Sequence, residues 1–467
     1  RRRAIASRPR EALLRCGARP AVVAPTTAVC RNDSASNPDS PPRAALDCLS
    51  CGIASNPVTS TSSRLTAPPT DPVAAIDDVM RELTTLRRVD GRHADSAQVE
   101  RYKGWDRLEA LERMNEEFLR RDWGDGYPLL PPTPEAVERL LKGTSLPRDH
   151  VLCDLPPGWG LATIEKVAIN AAMAGAKPEQ MPVILAALKA LSKLDPEMAR
   201  HVLMSTGSHA SLLVVNGPIA KEIGINARAC MGPGRDNQVN LTIGRSYTLS
   251  LKNIGHWYPG LMDMDTVGSV RKFTVCVAEN EEASPWEPFH VEKGFRKEES
   301  VVTHMATRGE IDIIDQGNTI PERVLMNIAF NSTMGQKDLR HGADSDIGRR
   351  IILMVPPDPA RIIGEGGFSK QAAKEFIHFH ARKSLLHTLA YVPLRSTEGD
   401  LRWLPRHWRW LRDLSDKELD QILEPVVDRA DRYDLFCVGA DRAKFQIMPG
   451  GPSAPSLENV DQYRAGA

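Results

Sequence analysis

The sequence predicts an α/β fold, or a mixed α+β variant of it, with helices packed on short, mainly buried strands behind a disordered N-terminal segment. Short apolar runs such as SLLVVNGP and KFTVCV alternate with longer segments of helical periodicity. No ladder of β-hairpins interrupts this alternation. The 10 Phe, 8 Trp and 7 Tyr residues all follow position 101, so the first hundred residues lack the apolar surface needed to offset the entropy of ordering.

The length and the change in composition predict several domains. A chain of 467 residues exceeds one ordinary core. We therefore expect an N-terminal extension at 1–100, a main α/β domain at 101–345 and a smaller C-terminal α/β domain at 346–467. Within the extension only residues 73–86 have helical periodicity. Its Arg-rich, acid-poor opening is typical of a transit peptide, and the alternative is translated sequence upstream of a start near Val58 or Met80.

Charge, hydropathy and cysteine usage disfavour several classes of protein. The 60 basic residues equal the 60 acidic ones, which argues against a nucleic-acid partner bound by bulk electrostatics. No run approaches the ~18 apolar residues of a membrane span, so no membrane partner is expected. The cysteines that follow the extension are widely spaced, which predicts buried free thiols in a reducing cytoplasm.

Capping signals predict where the helices of the main domain begin and end. An apolar helix should begin after Thr163 as its N-cap and end at Gly175. Another helix should start near Leu241 with Asn240 as its cap, and a further one at Pro321. KFTVCV and VVTHMAT are predicted strands, and no internal repeat is evident.

The first candidate for chemistry is the segment AENEEASPWEPFHVEKGF at 278–295, the glutamate loop. Period-two alternation along KFTVCVAEN makes Glu279 the first ionisable residue on a buried face. A carboxylate against apolar walls has a raised pKa, so Glu279 or Glu282 could act as general base, with His290 as its partner or as a metal ligand. Trp286 would contact the substrate. The alternative is a solvated connection anchored by Trp286.

The second candidate is the turn MGPGRDNQVN, which leads into a helix. Gly232 and Gly234 allow close backbone approach, and Arg235 offers a planar guanidinium for a carboxylate or a phosphate. Arg245 lies further along the same helix and Asn216 follows an apolar strand, so both are further predicted substrate-binding residues. The alternative is a tight turn with a solvated Arg235. The turn is neither a P-loop nor a dinucleotide fingerprint, so no nucleotide cofactor is expected.

Five motifs carry a resemblance to a known family. WGDGYPLLPPT, TIEKVAINAAMAGAKPEQMPVIL, VVNGPIAKEIGIN, GPGRDNQVNLTIGR and the glutamate loop resemble an uncharacterised bacterial protein family, over residues 106 to 382. The resemblance implies a bacterial cytosolic setting, and it implies that the glutamate loop and the glycine-arginine turn belong to one design. It implies no particular activity.

Together these features predict a cytoplasmic enzyme, a lyase or hydrolase acting on a small anionic metabolite. It would use Glu and His acid-base chemistry or a divalent metal, and the chain could form a homo-oligomer. One alternative is a cysteine-dependent enzyme that uses Cys276 or Cys230. The other is a non-catalytic subunit of an enzyme complex. The leading hypothesis requires the glutamate loop and the glycine-arginine turn to enclose a common cavity.

Overall fold

The computed structural model describes residues 45–49, 99–334, 349–392, 394 and 406–466. The strands are β1 Ala45–Leu49, β2 Val99–Lys103, β3 Val151–Leu155, β4 Gly160–Thr163, β5 Ala210–Asn216, β6 Cys276–Ala278, β7 Val301–Thr307, β8 Ile311–Ile314, β9 Ile351–Val355, β10 Arg382–Ser384, β11 Leu423–Pro425, β12 Tyr433–Cys437, β13 Lys444–Pro449 and β14 Ser456–Asn459. The α-helices are α1 Arg107–Arg120, α2 Pro134–Leu141, α3 Ile164–Ala174, α4 Met181–Ser192, α5 Pro196–Leu203, α6 Pro218–Glu222, α7 Gln238–Asn253, α8 Phe289–Glu292, α9 Pro321–Asn331, α10 Pro357–Glu365, α11 Lys370–His380, α12 Leu385–Thr388 and α13 Asp416–Gln421.

The N-terminal prediction lies mostly outside the described residues, as does the helix predicted at 73–86. The described exception is β1, which pairs antiparallel with β2. This pairing brings a short stretch of the extension against the start of the main domain. The described residues within 1–100 are therefore these five, together with Val99 and Glu100 of β2.

Local capping chemistry sets the ends of α3, as predicted. The Thr163 hydroxyl accepts a hydrogen bond from the backbone N–H of Lys166, and Gly175 ends the helix in the left-handed conformation at φ 83°. The predicted cap at Asn240 is wrong, because α7 already begins at Gln238. The Asn240 amide instead donates to the carbonyl of Cys276 at 3.0 Å, so it holds β6 against the helix.

Two four-stranded sheets form the centre of the molecule. The first has the strand order β14-β7-β5-β6 and the second has the order β12-β9-β13-β8. Within the first sheet β5 and β6 are parallel, and within the second β9 and β12 are parallel. The remaining pairs in both sheets are antiparallel. The predicted strand KFTVCV is shorter than expected, because only Cys276–Ala278 joins the ladder.

The two sheets share one topology and exchange their outer strands. In the first sheet, β5 has the parallel strand β6 on one side, reached by a helical crossover, and the antiparallel strand β7 on the other. In the second sheet, β9 has the parallel strand β12 and the antiparallel strand β13 in the same arrangement. β8, which follows β7 in the chain, pairs with β13, and β14, which follows β13, pairs with β7. The stretches VVNGPIAKEIG and MVPPDPARIIG stand at equivalent positions, at the ends of β5 and β9. The repeat is therefore present, although the sequence alone did not reveal it.

Alternating side chains divide the core into layers. Leu212 and Val214 of β5 face the second sheet, where they share a cluster with Met354 and Phe436. The intervening residues of β5 pack on α3, α4 and α7, and the corresponding outward residues of β9 pack on α9, α10 and α11. The order is therefore helices, sheet, sheet, helices, and we call the layer between the sheets the inter-sheet seam. This arrangement confirms the predicted mixed α/β fold.

The described residues all belong to one compact unit. The division at position 345 stays a prediction, and the exchanged strands β8 and β14 cross it. Within the described residues, no helix has both the length and the apolar composition needed to traverse a lipid bilayer.

The seam predicts a specific sensitivity to cavity formation. Phe289 is fully buried there, with its ring centroid 4.3 Å from that of Phe436. Phe289→Ala should lower the free energy of unfolding by about 3–5 kcal/mol, because it leaves a cavity between the sheets. Urea denaturation provides the measurement. Phe330→Ala, at a ring that is 60% exposed, is the matched control and should change stability by no more than about 0.5 kcal/mol. Equal effects of the two substitutions would contradict this account of the seam.

Candidate functional site

The candidate site forms where two parallel strands end side by side. Asn216 is the last residue of β5, and Glu279 directly follows β6. Because the strands are parallel, their carboxyl ends meet at the same edge, which is where open α/β sheets place their ligands. The Asn216 amide donates a hydrogen bond of 2.7 Å to Oε2 of Glu279.

The Glu279 carboxylate is buried and bonded to both sheets. Its Oε2 also accepts a hydrogen bond from the backbone N–H of Phe289 at 2.8 Å. Its Oε1 accepts a longer bond of 3.4 Å from the backbone N–H of Cys437, at the end of β12. Burial raises the pKa of Glu279, although the Lys370 ammonium 3.9 Å from Oε1 opposes that shift. The predicted carboxylate on a buried face is thus present at the end of the seam.

Two further residues complete what we call the buried polar site: Asn216, Glu279, Glu281 and His290. Oε1 of Glu281 accepts hydrogen bonds from the Asn216 amide at 3.0 Å and from the backbone N–H of Gly217 at 2.7 Å. Nδ1 of His290 lies 3.9 Å from the same oxygen. His290 is fully buried, and within the described part of the chain neither ring nitrogen has a hydrogen-bond partner. Oδ1 of Asn216 likewise has no hydrogen-bond partner among the described residues. The site therefore has buried polar atoms that are available to hydrogen-bond a ligand.

A charged cluster lies behind the site. The side chain of Glu292 is held by Lys374 at 2.6 Å and by Lys370 at 3.2 Å, two residues one turn apart on α11. Burial alone would raise the pKa of Glu292, but the two lysines outweigh it and lower the pKa to about 2. Burial lowers the pKa of Lys374, against the effect of Glu292. Lys370 therefore links this cluster to Glu279.

The rigid part of the glutamate loop is an anchor on the second helix layer. The Trp286 indole N–H donates to the carbonyl of Phe368 at 3.0 Å, and its ring belongs to the core formed by the second sheet and its helices. Pro285 lies against Gly364 of α10, where a Cβ atom would come within 2.6 Å of the proline. Trp286 therefore anchors the loop, as the alternative interpretation of the sequence expected. It does not lie in the buried polar site, where a substrate contact was predicted.

Three other predicted site residues lie elsewhere. The Glu282 side chain is 78% exposed and pairs with Lys221 at 2.5 Å. Arg235 is 94% exposed and pairs with the neighbouring Asp236. Arg245 forms a two-pronged pair with Asp125, at 2.7 and 2.9 Å. Among the described residues, no hydrogen bond or ion pair connects either arginine to Glu279 or His290.

The glycine-arginine turn does border a cavity, but a different set of residues completes it. Gly232 and β6 line a cavity of about 210 Å³, whereas Gly234 is exposed beside it. Its lining residues are Cys230, Met231, Gly232, Asn240, Leu241, Val270, Arg271, Thr274, Val275, Cys276 and Glu310. Neither Glu279 nor His290 is among them. The predicted common cavity is therefore not formed here. The turn shares this cavity with β6, and the predicted acid-base residues Glu279 and His290 lie beyond the far end of that strand.

Burial changes the chemistry of the two cysteines in this cavity. It raises the pKa of Cys230 to about 12, and it raises the pKa of Cys276 even further from its ordinary value. Both side chains are therefore neutral thiols near pH 7.

Sequence reasoning missed Glu281, Lys370 and Lys374. Glu281 lies two positions beyond Glu279, so continued alternation would have placed both carboxylates on one side. The spacing of Lys370 and Lys374 on a helix capped by Ser369 was also readable. Their contact with Glu292 depends on tertiary packing. Within the described residues, no group of three or more His, Cys, Asp or Glu side chains is arranged to hold a metal ion.

No protein-family model, no curated protein and no solved structure matches this chain. The resemblance to an uncharacterised bacterial family therefore stays a prediction. What the protein does has to be inferred from its own residues.

The charged cluster predicts a pH-dependent stability. Glu292→Gln should cost about 3 kcal/mol near neutral pH, because it leaves two buried lysines without their carboxylate. Because the native pKa of Glu292 is lowered to about 2, its stabilising contribution is present above its ordinary pKa of 4.5 and is lost as the pH falls toward 2.

Urea denaturation at pH values from 7 to 3 measures this effect. The difference in unfolding free energy between the wild type and Glu292→Gln should shrink below about pH 4.5. Glu287→Gln, at an exposed side chain of the same loop, is the control and should follow the wild type throughout. A difference that stays constant across the series would exclude the ion cluster as its cause.

Proposed function

We propose that the protein is an enzyme that transfers protons to or from a small anionic metabolite, as a lyase or a hydrolase, with Glu279 as general base. The observation that carries the proposal is a buried carboxyl with a raised pKa, held at the joined ends of two parallel strands. Within the described part of the chain, Cys153, Cys230, Cys276 and Cys437 are free thiols, which is in keeping with the proposed cytoplasmic setting.

The hydrogen bonds distinguish the two oxygens of Glu279. Oε2 accepts short bonds from the Asn216 amide and the Phe289 N–H, which hold the carboxylate in one orientation. Among the described residues, Oε1 has only the 3.4 Å bond from the backbone N–H of Cys437 and the more distant ammonium of Lys370. We therefore assign proton transfer to Oε1, since an oxygen with weaker donors is the more available base. The raised pKa brings the carboxyl closer to the operating pH, as general acid-base catalysis requires.

His290 is the proposed second proton carrier. Its ring is within 3.9 Å of Glu281, and Glu281 shares the Asn216 amide with Glu279. In the proposed cycle Glu279 takes a proton from the substrate. The proton returned to the product comes either from Glu279 itself or from His290, which then takes up the proton held by Glu279. Glu282, which points into solvent, has no part in this assignment. Lys370 supplies the positive charge next to Glu279 that favours an anionic substrate.

Thiol chemistry receives less support than carboxylate chemistry. A cysteine attacks as its thiolate, and burial raises the pKa of both Cys230 and Cys276 well above neutrality. Burial is the first cause of the raised pKa in each case, and Cys230 raises the pKa of Cys276 further.

One observation favours a second candidate, the non-catalytic subunit. The Glu279 carboxylate is shielded from solvent and is bonded to β5, α8 and β12 at once. A carboxylate in this position can join the two sheets without taking part in any reaction. The two candidates differ in what a neutral replacement of the carboxylate should do.

The test compares Glu279→Gln with the wild type. Glutamine has the same shape and can keep the bonds to Asn216 and Phe289 through its carbonyl oxygen, but it cannot act as a base. We expect the midpoint of thermal unfolding to stay within a few degrees. A thermal-shift screen with small carboxylates and phosphate esters should identify a stabilising compound, and conversion of that compound should fall by about 10²-fold or more.

The matched control is Glu287→Gln, which removes an exposed carboxylate from the same loop and should keep full conversion. Unchanged conversion in Glu279→Gln would remove Glu279 from the mechanism. A large fall in thermal stability, together with no compound that stabilises the wild type, would support the non-catalytic subunit instead.

A further inference from the structure

The cavity beside β6 is lined by the charged side chain of Arg271, which three hydrogen bonds hold in position. Arg271 lines the 210 Å³ cavity. Its Nε donates to the hydroxyl of Ser269 at 3.0 Å, its Nη1 donates to the hydroxyl of Thr307 at 3.0 Å, and its Nη2 donates to the carbonyl of Ser208 at 3.4 Å. A guanidinium has five N–H donors, so these described contacts leave one on each terminal nitrogen. One donor on each terminal nitrogen of a guanidinium is what a two-pronged contact with a carboxylate uses.

Arg271 is half-buried, so its charge is incompletely solvated. Burial lowers the pKa of its guanidinium, and the nearby carboxylates of Glu310 and Asp265 oppose that shift. Asp265 is already occupied by the ammonium of Lys272 at 2.5 Å. Among the described residues, no carboxylate lies within ion-pair distance of Arg271. The guanidinium can therefore accept an anion from outside.

Apolar and sulfur-containing side chains form much of the rest of the cavity wall, beside the polar side chains of Asn240, Thr274 and Glu310. Leu241 and Val275 contribute aliphatic surface, and Cys230, Met231 and Cys276 contribute sulfur atoms. Because both cysteines are neutral thiols, they behave as small apolar groups toward a ligand. An apolar cavity of about 150 Å³ is known to accept benzene. A volume of about 210 Å³ therefore suits a ring or short chain that also bears one carboxylate.

We propose that this cavity binds a small monocarboxylate with an apolar body, with the carboxylate on Arg271 and the body against Leu241, Val275 and the three sulfur-bearing side chains. Glu310, an exposed residue at the same cavity, repels the ligand's charge and weakens its binding. Arg271 thus takes the role that the sequence assigned to Arg235. The site stands independently of the proton transfer proposed for Glu279.

Benzoate is the probe, and benzyl alcohol is its neutral counterpart of similar shape. Binding to the full chain is measured by isothermal titration calorimetry at low ionic strength. Benzoate should bind about tenfold or more tightly than benzyl alcohol, because a hydrogen bond to a charged group contributes about 1.5–3 kcal/mol. Added salt should weaken benzoate binding but leave benzyl alcohol unaffected.

Substitutions assign the binding to this cavity. Arg271→Gln should weaken benzoate binding about tenfold or more and should leave benzyl alcohol unchanged. Glu310→Gln should strengthen benzoate binding by about two- to fivefold, since it removes an exposed like charge. Arg228→Gln, at an exposed arginine of the loop before the glycine-arginine turn, is the matched control and should bind as the wild type does. Because Glu310 is exposed, its substitution remains informative if Arg271→Gln fails to fold.

Equal affinity for benzoate and benzyl alcohol would overturn the proposal, as would benzoate binding that both Arg271→Gln and Glu310→Gln leave unchanged. The Glu279→Gln variant should bind benzoate normally. A variant that loses conversion but still binds benzoate therefore bears on the catalytic role of Glu279 alone. A wild-type protein that does not bind benzoate bears on the proposed Arg271 site alone.

Discussion

The contact between the two sheets is the constraint on which the rest of the molecule depends. Each sheet has one face on helices and one face on the other sheet, so the inter-sheet seam excludes water from both. A carboxylate placed there must be bonded, and Glu279 accepts its three hydrogen bonds from segments that the chain supplies at widely separated positions. The same carboxylate therefore joins the sheets and has a raised pKa, and both properties follow from its burial.

The duplicated topology creates two equivalent pairs of strand ends, and the side chains at these two positions differ. The ends of β5 and β6 correspond to the ends of β9 and β12. At the first place the chain has Asn216 and Glu279, whereas at the second it has Pro356 and Val438. The backbone N–H groups of Glu279 and Val438 make matching bonds to Val215 and Val355. The scaffold is thus repeated, while Asn216 and Glu279 have no polar counterparts at the second place.

Sequence reasoning succeeded where neighbouring residues decide the structure. The helix boundaries at Thr163 and Gly175 depend on contacts within one turn, and the alternation along KFTVCV was enough to put Glu279 on a buried face. It failed where distant residues decide. Arg245 binds Asp125, which is 120 positions away, and Lys370 reaches Glu279 from another sheet's helix layer. Such pairs leave no local pattern, so the predicted arginines could not be distinguished from Arg271.

The exchange of outer strands has a consequence for how the chain can be divided. A piece of the protein that ended after β8 would lack β14, and one that began at β9 would lack β8. Each would expose the unpaired backbone of β7 or β13 as a long open edge, which is prone to association with other chains. The two halves therefore depend on each other for folding, as two subunits do after a domain swap. The whole should unfold in a single cooperative transition.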